Sequence, residues 1–405
     1  MQNIIVEKPY KFVPPHRGNW VPSLVHKLKI SDKYLNYFEG VTSYEVRNVG
    51  RLIESLAAGH GIILAPNHCR YADPLAIGWV AREASTHVFA MASWHLFNEG
   101  RLKAFAMRMC GGFSVYREGP DRASLDTAIE AVSEAIRPLV IFPEGTVFRT
   151  NDYVQPLLDG VSFLARTAAR KKEKAGKGRV VIHPVAIKYL FRGDVEQAVE
   201  PVVQKLERRL TWEEPAVQLD LLPRLERLSQ ALFSLREIQY FGAAQTGTLV
   251  ERKQGLIERL LAPLEEQWLG KPQAGDLMPR VKQLRTKLLP VLTKANSQAE
   301  RDQIWQHLAD IYYAQMIQAY PLDYLDNPTD TRILETVERL EEDVHDLPTI
   351  QRPLHAVLEV GEAIEVDPVK PPRGEADPVT FSLQSSLSTM LSDLANEAKP
   401  FPAKG

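Results

Sequence analysis

Cysteine is scarce in this sequence, and long apolar runs are missing. The only cysteines among the 405 residues are Cys69 and Cys110. Two cysteines are too few for a disulfide scaffold, and neither has a second cysteine at metal-ligand spacing. No uninterrupted apolar run approaches the ~20 residues that cross a bilayer. The N-terminal residues also lack the basic start and apolar stretch of a secretory signal. We therefore expect a cytoplasmic chain whose contact with a membrane, where one exists, is peripheral.

An excess of charge of one sign is also missing. The formal net charge is -2, which argues against broad nucleic-acid binding and leaves electrostatic attraction to local patches. The length exceeds that of a typical single domain and leaves ample room for a buried core.

Short apolar runs alternate with helical stretches such as SLDTAIEAVSEAI between residues 59 and 192. The runs have strand length and are rich in Val and Ile, as in a sheet that is covered on both faces. This pattern predicts an α/β fold with a mixed, largely parallel sheet flanked by helices. The runs are GIILAP, THVFAMA, GGFSVY, PLVIFP and RVVIHPVAI, and PLHAVLEVGEAIEV at residues 353–366 returns to the same pattern.

A long helical block separates that last run from the others. Segments such as TDTRILETVERLEEDVH place apolar residues at helical spacing, and we find no repeat of fixed period in the block. We interpret it as an all-helical insertion, residues 193–352, in an α/β core of residues 51–192 and 353–367. Residues 1–50 are predicted to be an N-terminal helical segment, and residues 368–405 a linker followed by a docked helix.

The stretch NHCRYADP, residues 67–74, follows the apolar run GIILAP. It places His68 five residues before Asp73, which fits either a catalytic pair or an ordinary turn. Cys69 suggests a Cys–His nucleophile, but such pairs are assembled from residues distant in sequence. A metal site at His68 and Asp73 lacks further ligands nearby.

Two more stretches place candidate site residues directly after a strand-like run. In VIFPEGTVFRTND, residues 140–152, Glu144 and a glycine turn follow a buried-type run, and ligands of open α/β sheets bind at the carboxyl ends of strands. Gly145 permits close approach to the backbone. In GGFSVYRE, Arg117 offers a planar fork of donors suited to phosphate. Each stretch alone also fits a strand-ending turn or a surface position.

Taken in order, these stretches resemble the glycerolipid acyltransferase family, the lysophosphatidate and glycerol-3-phosphate acyltransferases of phospholipid synthesis. The motifs are N-H-x-x-x-x-D, G-x-F-x-V-x-R, FPEGT and HPVAIKY, and the resemblance covers roughly residues 55–192. LEVGEAIEV looks like the family's closing G-x-P-I element, with Ala363 in place of the proline. Because the family places that element soon after its fourth motif, it supports a helical insertion between the two.

The resemblance implies transfer of a fatty acyl group from acyl-CoA or acyl-carrier protein to a glycerolipid hydroxyl, with 1-acyl-glycerol-3-phosphate as the first candidate. His68 would be the general base, and Asp73 would orient its imidazole. A neutral imidazole with an ordinary pKa of about 6.5 suits this task at physiological pH, and a carboxylate on its other nitrogen fixes the tautomer. The resemblance implies no metal and no cofactor besides the donor thioester.

The family pattern also implies substrate contacts at Arg117, Glu144, Gly145, Thr146 and Pro184, and Arg149, two places after Val147, is a further candidate. Arg117 would bind the acceptor phosphate, Glu144 the glycerol hydroxyls, and Pro184 would shape the acyl-donor side. Where the family often has an arginine after the FPEGT threonine, this chain has Val147. Whether the acceptor is phosphorylated therefore stays open.

Several alternatives also stay open. The acceptor is another lysolipid, glycerol 3-phosphate or a lipophilic alcohol, or the chain is a thioester hydrolase. In another class, it is an inactive lipid-binding or scaffolding protein whose helical insertion carries the function. The basic run ARTAARKKEKAGKGR at residues 165–179 is either a site for anionic lipid headgroups or an acidic acyl-carrier protein, or a solvated loop.

Overall fold

The structure is a computed structural model that describes residues 7–119, 121–211, 218–372, 375 and 377–402. These residues form two compact units. The α/β unit takes the described parts of Tyr10–Gly193 and Ile350–Lys399, and the helical unit takes those of Met1–Pro9, Asp194–Thr349 and Pro400–Gly405.

Helices and strands alternate in the α/β unit, whereas the described part of the helical unit contains helices and one isolated β-bridge, Thr329 with Pro400. The strands are β1 (Val41–Arg47), β2 (Gly61–Pro66), β3 (Phe89–Ser93), β4 (Gly112–Val115), β5 (Leu139–Val140), β6 (Val180–Phe191), β7 (Leu354–Val360) and β8 (Ile364–Glu365). The α-helices are α1 (Trp20–Lys27), α2 (Ile30–Glu39), α3 (Val49–Ala57), α4 (Asp73–Glu83), α5 (Arg101–Met109), α6 (Arg122–Ser133), α7 (Gly160–Lys174), α8 (Val195–Thr211), α9 (Leu221–Phe241), α10 (Leu249–Leu269), α11 (Leu277–Leu292), α12 (Gln298–Ala319), α13 (Asp330–His345) and α14 (Pro378–Ala395). A 3-10 helix, Trp94–Asn98, follows β3.

The strands within the described residues form one sheet in the order β1-β7-β6-β2-β5-β3-β4, with β8 paired to β6. β2 is parallel to both β5 and β6, and β3 is parallel to both β5 and β4. β7 is antiparallel to β6 and parallel to β1. The predicted mixed, largely parallel sheet flanked by helices is therefore confirmed. Its topology brings the carboxyl ends of β2, β5, β3 and β4 to one edge, which is where ligands of such sheets bind.

Burial explains why the central strands are apolar throughout. Every residue of β2 and β6 is buried, since helices cover both faces of a parallel sheet. On one face, a single core joins the strands to α6, α7 and α14. The C-terminal helix that was predicted to dock is α14, with Leu383 and Leu387 packed in this core and Leu391 and Leu394 packed beside β6 and β7.

β1 lies inside the segment for which the sequence predicted only helices. Only Val41 of the stretch VTSYEVR is buried, and the strand gains its stability by pairing with β7. Because β7 is distant in sequence, that pairing leaves no local pattern. The same segment contains two helices, α1 and α2.

The basic run at residues 165–179 lies on α7 and on the loop that leads into β6. Val180 pairs with Gly61, at the amino end of β2, so the end of the run is at the edge opposite to the residues that follow β2. Lys177 bonds Glu134 at 2.7 Å, and Arg179 bonds Glu365 at 2.6 Å. These ion pairs neutralise part of the run.

Three helices of the helical unit begin at a fixed period. The N-cap residues Asp220, Thr248 and Asp276 precede α9, α10 and α11 and stand 28 residues apart. The conclusion that the block has no fixed-period repeat was therefore wrong. The period is visible in the glycine-rich loops FGAAQTG and LGKPQAG, and also in the helices, where Leu228, Leu256 and Leu284 stand at the same spacing.

An arginine–glutamate pair recurs with this period. Arg252 lies 2.7 Å from Glu237, and Arg280 lies 2.7 Å from Glu265. Each pair joins the first turns of one helix to the helix before it, and the two glutamate side chains are 0% exposed. Such nearest-neighbour contacts are typical of stacked helical repeats. No helix in the described ranges is long and apolar enough to span a membrane.

Candidate active site

His68 and Asp73 stand at the two ends of the turn between β2 and α4. Nδ1 of His68 lies 2.9 Å from Oδ2 of Asp73, and the two side chains are 11% and 0% exposed. Because a carboxylate only accepts hydrogen bonds, Nδ1 carries the proton and Nε2 is the basic nitrogen of the ring. The imidazole also stacks on Phe142, with 4.1 Å between ring centroids. The two residues that lie five positions apart in sequence are thus in direct contact.

The turn is organised around the Asp73 carboxylate. Oδ2 accepts the backbone N–H of Cys69 at 2.8 Å and that of Arg70 at 2.9 Å. Oδ1 accepts the hydroxyl of Tyr189 at 2.8 Å. A buried carboxylate is costly unless its oxygens are hydrogen-bonded, and these donors, together with His68, meet that need. The bonds that close the turn therefore also hold the carboxylate against the imidazole.

Cys69 points into the protein. Its Sγ atom lies 3.8 Å from the carbonyl oxygen of Ile187 and 3.8 Å from Oδ1 of Asn151, and the residue is buried. A thiol in this position is not presented to a substrate, so the Cys–His nucleophile finds no support. Among the side chains that the structure describes, no group of three or more His, Cys, Asp or Glu is arranged to hold a metal ion.

Two asparagine side chains satisfy the backbone of β6 where β2 has already ended. Asn67 bonds the N–H and the C=O of Ile187, at 2.7 and 3.0 Å. Asn151 bonds the N–H and the C=O of Tyr189 in the same way, at 2.8 and 2.9 Å. Each side-chain amide thereby takes the place of a residue in a neighbouring strand. These bonds fix the turn of His68 and the loop after β5 to the same strand.

Glu144 lies in the loop after β5, and its carboxyl group faces inward. Oε1 accepts the N–H of His68 at 2.7 Å, and Oε2 accepts the N–H of Gln155 at 3.0 Å. Burial raises the pKa of the Glu144 carboxyl to about 8, and the neighbouring charge of Asp73 acts in the same direction. Glu144 thus ties the backbone of His68 to the loop after β5. The contact with glycerol hydroxyls that the family pattern implies stays a prediction.

The glycine after Glu144 is required by the shape of the loop. Gly145 has a φ of +76°, and a Cβ atom there would lie 2.6 Å from Cδ1 of Leu158. Thr146, beside it, is half-buried. The N–H of Phe148 donates to the carbonyl oxygen of His68 at 3.0 Å. The loop after β5 therefore binds the main chain of His68 at both its N–H and its C=O.

The other predicted site residues lie in three different surroundings. Arg117 is exposed and follows the edge strand β4. β4 is the third strand from β2, a separation of roughly 14 Å at about 4.8 Å between neighbouring strands. Arg149 is 8% exposed, with its guanidinium 5.3 Å from the centre of the Tyr71 ring. Pro184 is buried within β6, where its carbonyl accepts the N–H of Gly361 at 2.8 Å.

The region that matches a known protein family includes the elements that carry His68 and Asp73. Residues 47–188 match the family model described as acyltransferase. This part of the chain thus matches the glycerolipid acyltransferase family. The resemblance found in the sequence is thereby confirmed, and the acyltransferase domain includes both His68 and Asp73. No curated protein matches the sequence.

Two residues of the acyltransferase fold that bond this network escaped the sequence analysis. Tyr189 lies directly after the matched region, and Asn151 lies in a loop whose sequence fits any turn. One signal was present, because a tyrosine at the end of a buried apolar run needs a partner for its hydroxyl. The partner itself, Asp73, is too distant in sequence to be inferred.

The protonation of Glu144 gives the acyltransferase domain a testable pH dependence. In the unfolded chain a glutamate has a pKa of about 4.3, so between about pH 5 and pH 8 the folded protein holds a proton that the unfolded chain has lost. Stability from this group is present at low pH and is lost as the pH rises toward 8. We therefore expect the free energy of unfolding of the wild type, relative to Glu144→Gln, to fall across this window.

Urea unfolding at several pH values measures the difference. Glu237→Gln is the control, since Arg252 lowers the pKa of the Glu237 carboxyl. That carboxyl is then ionised in both the folded and the unfolded protein throughout the window. A wild-type minus Glu144→Gln difference that stays constant with pH would contradict a protonated Glu144.

Proposed function

We propose that the chain is an O-acyltransferase that moves a fatty acyl group from acyl-CoA or acyl-carrier protein to a glycerolipid hydroxyl. The observation that carries the proposal is the 2.9 Å contact between Nδ1 of His68 and the buried Asp73 carboxylate, within a domain of the acyltransferase family. Nε2 is then the base of a neutral imidazole whose orientation is fixed. Peripheral attachment to a membrane is part of the proposal, because the substrates are lipids.

The reaction needs one group that both takes and returns a proton. Nε2 of His68 removes the proton of the acceptor hydroxyl while that oxygen attacks the carbonyl carbon of the thioester. The tetrahedral intermediate then expels the thiolate, which takes the proton back from the imidazolium. Asp73 stabilises the imidazolium between the two steps. No acyl-enzyme forms, since the acceptor oxygen is the nucleophile.

Arg117 is our candidate for the phosphate of 1-acyl-glycerol-3-phosphate. Of the two candidate arginines, Arg149 is buried over Tyr71, whereas Arg117 is exposed at the same edge of the sheet as His68. The strand separation of roughly 14 Å leaves room for a glycerol phosphate together with the long arginine side chain. A charge-assisted bond to phosphate would orient the acceptor without taking part in proton transfer.

Exposed apolar side chains near the same edge support membrane attachment. Tyr71 and Leu75 follow β2 and are 56% and 38% exposed. Leu102 and Phe105, on α5 after β3, are 81% and 58% exposed, and α5 has no buried residue. Apolar side chains beside basic residues on one helix are typical of segments that lie in a membrane interface. The acceptor lipid would then reach His68 without leaving the membrane surface.

His68→Ala tests the general base. We expect kcat to fall by about 10²- to 10⁴-fold, the usual contribution of general-base catalysis, with little change in the thermal unfolding midpoint. Acyl transfer to 1-acyl-glycerol-3-phosphate is measured by mass spectrometry with acyl-CoA and with acyl-carrier protein as donors. His355→Ala is the matched control, because His355 lies half-buried on β7. Full activity of His68→Ala would remove His68 as the base.

Arg117→Ala tests whether the acceptor is phosphorylated. We expect the KM for 1-acyl-glycerol-3-phosphate to rise by roughly tenfold to a hundredfold, the loss of one charge-assisted hydrogen bond, while kcat changes little. Arg179→Ala, at the opposite edge of the sheet, should leave both parameters unchanged. An unaltered KM in Arg117→Ala would instead favour an acceptor without phosphate, such as a lipophilic alcohol.

The double substitution Leu102→Glu with Phe105→Glu tests the membrane surface. We expect binding to vesicles of anionic phospholipid to fall at least about tenfold. The reason is that two apolar side chains, which would be buried in the lipid on binding, are replaced by charged ones. Phe381→Glu on α14 removes a side chain of 70% exposure and should have no effect. Equal binding of the double variant and the wild type would contradict this surface. Vesicle binding without any acyl transfer would favour a lipid-binding protein.

A further inference from the structure

Tyr189 contacts the Asp73 oxygen that His68 does not use. Its hydroxyl donates to Oδ1 of Asp73 at 2.8 Å, whereas His68 and the two backbone N–H groups of the turn all bond Oδ2. Both residues are 0% exposed. Within the part of the chain that the structure describes, Oδ1 has one strong donor, because the other group near it is the Cys69 thiol at 3.9 Å, and thiols are weak donors.

Tyr189 is fixed both at its backbone and at its ring. The backbone N–H and C=O of Tyr189 are both bonded by the side chain of Asn151, at 2.8 and 2.9 Å. The guanidinium of Arg70 lies 5.5 Å from the centre of the phenol ring. Because the backbone and the ring of Tyr189 are both fixed, the hydroxyl is already in position to donate to Asp73.

We infer that Tyr189 is a positioning residue for acyl transfer, which holds Asp73 as an anion with Oδ2 directed at His68. The inference rests on the proposed function, because it assigns a role within the same pair. Tyr189 acts through Asp73 and does not contact the imidazole that receives the proton.

Removal of this donor would change the proton affinity of the pair. A buried carboxylate oxygen without a strong donor favours the protonated acid, and protonated Asp73 no longer fixes the Nδ1 proton of His68. Because the imidazole and the carboxylate titrate as a coupled pair, a less stabilised anion raises the apparent pKa of the pair whichever residue takes the proton. Burial raises the pKa of the Tyr189 hydroxyl well above its usual range, so Tyr189 remains a donor wherever the enzyme works.

Tyr189→Phe is the direct test, since it removes only the hydroxyl. We expect kcat to fall roughly tenfold, with the acidic limb of the pH profile of kcat/KM shifted upward by about one pH unit, the scale of one hydrogen bond to a charged group. The KM for the acceptor should stay unchanged. A wild-type kcat together with a wild-type pH profile would overturn the inference.

Tyr324→Phe is the matched control. Tyr324 is also 0% exposed, and its hydroxyl also donates to a buried carboxylate, that of Glu335 in the helical unit. This variant should lose stability without any shift of the pH profile. If Tyr324→Phe moves the acidic limb as far as Tyr189→Phe does, the effect is one of general stability and the inference falls.

A measurement without substrate separates this inference from the proposed function. The imidazole of His68 can be titrated by NMR in the wild type and in Tyr189→Phe, with His68→Ala to assign its signals. We expect the His68 pKa to be higher in Tyr189→Phe by about one unit. Absence of acyl transfer in the wild type would reject the proposed function alone, whereas an unchanged His68 titration would reject the role of Tyr189.

Wild-type protein that contains ring-fluorinated tyrosine provides a second test in case Tyr189→Phe folds poorly. Fluorination makes the phenol a stronger donor, so the His68 titration should move to lower pH. A shift in the opposite direction, or none, would overturn the inference. Tyr324→Phe with the same label should behave as the labelled wild type does.

Discussion

The bonding of the Asp73 carboxylate is the interaction on which the site depends. A charge that is removed from water must regain its solvation from fixed donors, and Asp73 does so with a ring N–H, two main-chain N–H groups and a phenol. These donors come from the turn after β2 and from β6. One carboxylate therefore closes the turn, joins it to β6 and orients His68.

A second carboxyl group beside the first makes electrostatic sense only if the two differ in charge. Glu144 and Asp73 both approach His68, one at its main chain and one at its ring. Burial raises the pKa of Glu144 to about 8, so near neutral pH it is largely an uncharged acceptor for two N–H groups. Environments that separate the protonation of neighbouring acids are common in active sites. Here the charged acid serves the imidazole, and the neutral one holds the loops together.

The sheet could be predicted from the sequence because its central strands are continuous apolar runs. The pair of His68 and Asp73 could be predicted because both lie in one short turn at the end of such a run. β1 could not, since its stability comes from β7, more than three hundred residues away in sequence. The inward direction of Glu144 was hidden for a similar reason, because its second partner, Gln155, lies beyond the FPEGT turn. The helical repeat is present in the sequence, both in the loops and in the leucines of the helices.

The asparagines beside β6 also lower the risk that the sheet pairs with another molecule. Where β2 stops, the peptide groups of Ile187 and Tyr189 would otherwise form a template to which an extended segment of another molecule adds, and unpaired strand edges of this kind promote aggregation. Asn67 and Asn151 occupy those groups with side chains, which cannot propagate a ladder. The part of β6 beyond the end of β2 is thus kept from becoming a nucleus for intermolecular pairing.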